Sequence, residues 1–121
     1  MSGPVSDSEL VEFLARICHN VNRAFSQAFD TPVQPVWGDA PECQKDNARK
    51  GVALHMNHPE AGPAASHAAW FMHRENEGWK YGPVEDPVNK THPYMVHFDE
   101  LPAHKRARYF IFRATVIEFL A

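Results

Sequence analysis

Apolar residues recur at steps of three and four along the first quarter of the chain: Leu10, Phe13, Leu14, Ile17, Cys18, Val21, Phe25 and Ala28. That spacing predicts an amphipathic helix running to about Phe29. Ser6-Asp7-Ser8-Glu9 has the form of a capping box ahead of it, and Asp30-Thr31-Pro32 ends it. An extended connector carrying Trp37 follows. Asp39-Ala40-Pro41-Glu42 marks a second helix start, with an acidic cap and an early proline, and predicts a helix to about Met56. Its apolar stripe (Cys43, Ala48, Val52, Leu54) is thin. Gly51 near its middle costs about 1 kcal/mol against alanine, as a point of close packing or as a tolerated defect.

Pro63 opens a third helix, and Gly78 stands where a C-terminal glycine cap belongs. Trp79-Lys80-Tyr81 and Tyr94 to Phe98 read as two short strands separated by a polar, proline-rich loop. Asp99 caps a last helix with Pro102 in its first turn, and Ala107, Phe110, Ile111, Ala114, Ile117 and Leu120 form the face expected to be buried. The pattern predicts a mainly α fold: one compact domain over residues 1–121, four helices, and a short two-stranded β element between helices 3 and 4.

Composition narrows the function classes. A chain of 121 residues buries about 65% of its unfolded surface, enough for one core without staples. Twelve basic residues against 15 acidic ones leave a formal charge of −3. That charge argues against a duplex nucleic acid partner, which needs a broad basic footprint. No apolar run reaches the ~20 residues of a membrane span, and the polar start to Asp7 does not resemble a secretory signal. The two cysteines, Cys18 and Cys43, sit in apolar helical stripes, where cysteine serves as a small hydrophobe. They make neither a disulfide framework nor a zinc site, and a cytoplasmic location is expected.

The candidate chemistry lies on the third helix. His67, Trp70 and Arg74 are spaced three and four apart and share a face, and the small neighbours Ala64, Ala65, Ala68 and Ala69 leave the tryptophan standing proud. An indole with a guanidinium one turn away suits a purine nucleotide, the ring stacking on the base and the charge turned toward phosphate. The plainer reading makes Trp70 a core residue, with His67 and Arg74 solvated. In and beyond the following loop, Lys90 and His92 are candidate phosphate donors, and Tyr81 and Tyr94 can line the same wall. Trp79 and Pro93 read as structural anchors. Lys105, Arg106 and Arg108 read first as a solvated face and second as support for an anionic ligand.

Catalytic machinery is not evident. His55 and His58 lack further ligands at zinc spacing, and no metal site or cofactor is expected. No Gly-x-Ser-x-Gly elbow or phosphate-binding glycine loop occurs. Glu85 and Asp86, being adjacent, point in different directions and make a poor acid–base pair.

The blocks His67-Ala-Ala-Trp70, Glu77-Gly-Trp-Lys-Tyr-Gly82, Asp86-Pro-Val-Asn-Lys-Thr-His-Pro93 and Asp99-Glu-Leu-Pro102 occur in the order found in the RyR domain. This is the repeat of ryanodine-receptor channels, which also occurs as small stand-alone proteins of bacteria and their phages. Upstream, Trp37-Gly-Asp-Ala-Pro41 and Gly51-Val52 resemble the stand-alone members, whereas Cys43 and His97 depart from them. The resemblance implies a helical domain with a small hairpin, no catalysis, and a nucleotide or nucleotide-derived messenger as ligand. In this picture the residue at Trp70 stacks on the base and the cation at Arg74 meets the phosphates. It also implies a homodimer, since channel repeats face each other in pairs and one helical face cannot enclose a nucleotide.

The resulting expectation is a non-enzymatic nucleotide-binding module with His67, Trp70, Arg74, Tyr81, Lys90, His92 and Tyr94 as ligand-binding residues. If the chain is phage-encoded, it would act in the host cytosol by sequestering a bacterial defence signal of the cyclic ADP-ribose or cyclic nucleotide kind. The alternatives are a protein-interaction module using the exposed aromatic face and, third, a small nucleotide hydrolase using His67 or His92.

Overall fold

The computed structural model describes residues 7–29 and 33–121. The expected capping hydroxyl at Ser6 and the stop at residues 30–32 lie outside the described residues. Helix α1 spans Asp7–Ser26, α2 Glu42–Asn57, α3 Ala64–Asn76 and α4 Ala103–Leu120. Between α3 and α4 lie two strands, β1 (Lys80–Tyr81) and β2 (Thr91–His92). Short 3-10 turns at Trp37–Asp39 and Phe98–Glu100 precede α2 and α4. The two acidic residues expected as caps, Asp39 and Asp99, fall inside these turns. Each helix then starts one residue after a proline, Pro41 or Pro102, whose carbonyl accepts the first backbone bonds.

Helix α1 packs on α2 and α4, and α3 packs on α4, α2 and the 3-10 turn ahead of α4. Leu14, Ala15 and Cys18 of α1 meet Val52 of α2 and Val116 of α4 in a fully buried cluster, flanked by Leu10, Val11, Met56 and Phe112. Burial pushes the Cys18 thiol up to about 12, which makes it an inert apolar filler. Cys43, in contrast to its expected place in a stripe, is exposed.

Gly51 is a point of close packing. A methyl group there would lie 2.9 Å from the Phe112 ring, so the glycine lets α4 seat its aromatic ring on α2. The buried face of α4 differs from the expected one. Phe110 is 57% exposed and Leu120 42% exposed, while Val116 is fully buried. Tyr109, Phe112 and Val116, with Lys105 and Arg108 on the same side of the helix, turn inward instead.

Polar side chains fasten the connections. His19 Nε2 donates to Pro35 O (2.7 Å) and Arg23 Nε to Gln34 O (3.0 Å), which straps the connector along α1. Arg113 donates to Ala61 O (2.6 Å) and Pro59 O (2.9 Å), which holds the turn between α2 and α3 against α4. Arg49 joins the two N-terminal helices through Glu12 (2.6 Å), with Glu42 and Asp46 also in reach. No helix among the described residues is long and apolar enough to cross a membrane.

The β element is where expected in the order of the chain but differs in kind. Its strands run parallel, Lys80 opposite Thr91 and Tyr81 opposite His92, and antiparallel pairing of the hairpin kind is confined to the Asp86–Thr91 bridge. Tyr94 to Phe98 forms no strand. Asp86 causes the change: its carboxylate accepts the backbone N–H groups of Val88 (2.9 Å) and Asn89 (3.3 Å) and folds the loop into a tight turn. Asp86 and Thr91 then bridge antiparallel to each other, which brings Thr91 round to pair with β1. Hydrogen bonds from Asn89 and these backbone groups hold the Asp86 carboxyl below the usual carboxylate range.

Candidate functional site

Local bonding at the end of α3 sets the site. The helix closes in a Schellman motif: Trp79 N–H reaches Arg74 O (3.0 Å), Gly78 N–H reaches Glu75 O (3.0 Å), and Gly78 takes φ +92°. The closure lays Trp79 under the Arg74 guanidinium, 4.9 Å from the ring centroid. The Lys90 ammonium donates to Glu77 O (2.7 Å) at the same helix end, where a cation offsets the helix dipole. Lys90 is thereby occupied as a fastener, with its own backbone left-handed at φ 56°. Tyr81 is 59% exposed.

His67 is 2% exposed. Its Nε2 donates to Val96 O (2.7 Å), and its Nδ1 accepts from the Tyr109 hydroxyl at 3.3 Å. Both of its nitrogens are thus engaged inside the protein. It stacks behind Trp70 at 5.6 Å and sets the plane of that indole. His92 meets Trp70 edge-on at 5.0 Å and lies 5.3 Å from the Tyr94 ring. The Tyr94 backbone N–H donates to His92 Nδ1 (3.0 Å), so the neutral ring carries its proton on Nε2, 3.5 Å from Glu85 Oε1. Burial lowers the His92 pKa despite Glu85 and keeps the ring neutral near pH 7.

Gly82 makes this placement possible. A Cβ there would lie 2.5 Å from Thr91 Cβ, so only glycine lets β2 come close enough to carry His92 against Trp70.

Trp70, His92 and Tyr94 line a cavity of about 720 Å³, a volume in the range of small-molecule sites. Of the seven residues expected to bind a ligand, these three converge there, while His67, Arg74, Tyr81 and Lys90 do not. Helix α4 supplies Lys105, Arg108, Tyr109 and Phe112 to the lining, and α1 and α2 supply His19, Asn22, Gln44 and Asn47 from the facing side. One chain therefore supplies residues to both sides of this half-open cavity.

Lys105 lies 4.9 Å over the Tyr94 ring. Burial and the neighbouring Arg108 push its pKa down to about 8, and burial also lowers that of Arg108. Neither cation has a carboxylate partner within ion-pair distance among the described residues. Glu85, at the same cavity, lies beside His92. Two half-buried cations without an ion-paired carboxylate among the described residues give this wall a positive potential.

In the sequence the charge run of Lys105, Arg106 and Arg108 reads first as a solvated face, and no motif marks the side-chain amides of α1 and α2. A signal existed on α4, where Lys105, Arg108, Tyr109 and Phe112 fall at the helical steps of three, four and seven. A competing apolar stripe through Phe110 and Ile111 concealed it. Among the described residues no cluster of three or more potential metal ligands occurs. Cys43 and His97, the two departures from the family pattern, lie outside the cavity lining.

The RyR domain family matches residues 55–121, more than half of the chain. The protein belongs to the RyR domain family. No solved structure matches it. The RyR match begins at the end of α2 and takes in α3, the β element and α4. The blocks around Trp37 and Gly51 lie ahead of it, as do α1, most of α2 and the facing wall of the cavity.

Proposed function

We propose that this RyR-domain chain is a non-enzymatic binding module for an anionic small molecule with an aromatic part, of the nucleotide or nucleotide-derived messenger class. One observation carries the reading: Trp70, braced by His67 and His92, shares a cavity with two half-buried cations that lack a carboxylate partner among the described residues. The aromatic wall takes the base by stacking, worth about 1–3 kcal/mol. Lys105 and Arg108 take the phosphates, the role the family resemblance gave to Arg74. The consequence of binding in this reading is capture of the ligand, and sequestration of a defence messenger in a phage-infected cell is the biological setting that fits.

The test is a thermal-shift panel with ATP, ADP, ADP-ribose, its cyclic isomers and cyclic di- and trinucleotides, run on the wild type and on Trp70→Ala. A ligand at 100 times its Kd adds about 2.7 kcal/mol, a shift of several degrees at this size. The expected result is a shift that Trp70→Ala reduces or erases, with the nucleotide recovered unaltered. A panel without any shift overturns the reading. It would favour a protein-docking module, for which the exposed Phe13, Phe110 and Phe119 offer apolar surface.

A further inference from the structure

We propose that the wall contributed by α1 and α2 selects the ligand, with Asn22 and Gln44 hydrogen-bonding the neutral polar edge of the molecule whose anionic end meets Lys105 and Arg108. This inference rests on the binding reading of the same cavity and adds the residues that set its specificity.

Asn22 is 6% exposed and lines the cavity, and its Oδ1 is sealed from water with no hydrogen-bond partner. Gln44 Oε1, from α2 on the same wall, is likewise buried and unpartnered. Such groups are rare in folded proteins, because desolvation of an acceptor is compensated only when a donor is supplied. A general shortage of donors along α1 does not account for it. The neighbouring Asn20 accepts from Trp37 N–H, and His19 and Arg23 both bond the connector. Asn22 is the α1 residue that both lines the cavity and holds a buried acceptor without a partner.

A carboxamide carries a donor and an acceptor side by side, and its two ends can exchange by rotation. That pattern complements the edges of nucleobases, which also present adjacent donors and acceptors. The cavity thus carries Lys105 and Arg108 on α4, and on α1 and α2 the amides of Asn22, Gln44 and Asn47 beside Lys50. A ligand with one charged end and one neutral hydrogen-bonding end satisfies both walls, whereas a plain phosphate satisfies only the first. Because buried polar groups penalise a ligand that leaves them unpaired, they discriminate more strongly than apolar contacts do.

The experiment is calorimetric titration of the full chain with the 5′-triphosphates of adenosine, guanosine, cytidine and uridine, and with ribose 5-phosphate, which lacks a base. The wild type is expected to prefer one base over another by 10-fold or more. Asn22→Leu, which removes the unmet acceptor, is expected to compress that preference to within about 3-fold while leaving ribose 5-phosphate affinity unchanged. Gln44→Leu, at a more accessible position, supplies the same readout should Asn22→Leu fail to fold by circular dichroism. Retention of the wild-type preference in the folded variants overturns the inference, as does an equal loss for every ligand. Equal wild-type affinity for all five compounds overturns it too, yet leaves the cavity an anion binder. Binding of none of the five overturns it, and the wider messenger panel with Trp70→Ala then decides the binding reading separately.

Discussion

The junction of α1, α2 and α4 and the cluster around His67 are both sheltered from water, but different forces hold them. At the junction Leu14, Ala15, Cys18, Val52 and Val116 bury aliphatic surface completely. Around His67, aromatic and imidazole rings meet at 5–6 Å, and two hydrogen bonds, to Val96 O and from the Tyr109 hydroxyl, fix the direction of the imidazole. Non-directional burial supplies stability and tolerates volume-conserving exchange. Directional bonding supplies less net energy and fixes geometry more tightly. The RyR match falls on the second region, where the cavity needs rings and cations held in place, and the first serves as its platform.

The sharpest way to break the comparison is Leu14→Ala. It should lower stability by about 2–5 kcal/mol in denaturant unfolding, through lost burial and a residual cavity. The ligand affinity of the protein that remains folded should be unchanged. An affinity loss as large as that at Trp70→Ala would show that the two regions are not separable.

Gly82→Ala reverses the signature. Thr91 must move to admit the methyl group, at a cost of about 1–3 kcal/mol for overpacking. His92, next in sequence, moves with it. Ligand affinity and the near-UV dichroism of the tryptophans should therefore change more than the unfolding midpoint does. A pure stability effect would show that His92 is not positioned by β2.

The smallest effect is the most diagnostic. Lys105 has its pKa depressed to about 8, so below pH 8 the folded state carries a charge it accommodates less well than the unfolded chain does. Stability should rise as pH climbs from about 8 toward the unfolded value near 10.4, where the unfolded state still holds the proton and the native state has released it. Lys105→Met should raise Tm at pH 7 and remove that rise. In the wild type, anion affinity should fall as pH rises through 8, since the ligand binds the protonated amine. Arg108, Tyr94, Glu85 and His92 share the cavity. Of these, His92 is already neutral at pH 7 by depression of its pKa. A variant that loses both stability and affinity would make Lys105 an ordinary structural residue.

Much of the fold was legible because it is local. Pro63 and Gly78 bracket α3 from within the chain, and the three-and-four spacing from Leu10 to Phe25 needs nothing beyond α1 itself. The candidate site was legible in part. Trp70, His92 and Tyr94 carry recognisable motifs and meet at the cavity. His67 sits in the same motif yet is consumed by Val96 and Tyr109, 29 and 42 residues away in the chain. No spacing on its own helix reveals those partners. The strand expected at Tyr94 to Phe98 failed for a similar reason, since the turn at Asp86 and the close approach at Gly82 moved the pairing to Thr91 and His92.

The sequence by itself determined the helices, their order, the position of the β element and the family, because propensity, capping and short motifs act over a few residues. Only the tertiary structure decided which face of α4 turns inward, which histidine is core and which borders the cavity, and that the facing wall comes from α1 and α2. The physical reason is that burial and hydrogen-bond satisfaction belong to pairs of groups far apart in the chain. Lys105 and Asn22 acquire their roles only when packing withdraws water from them and brings them to one cavity.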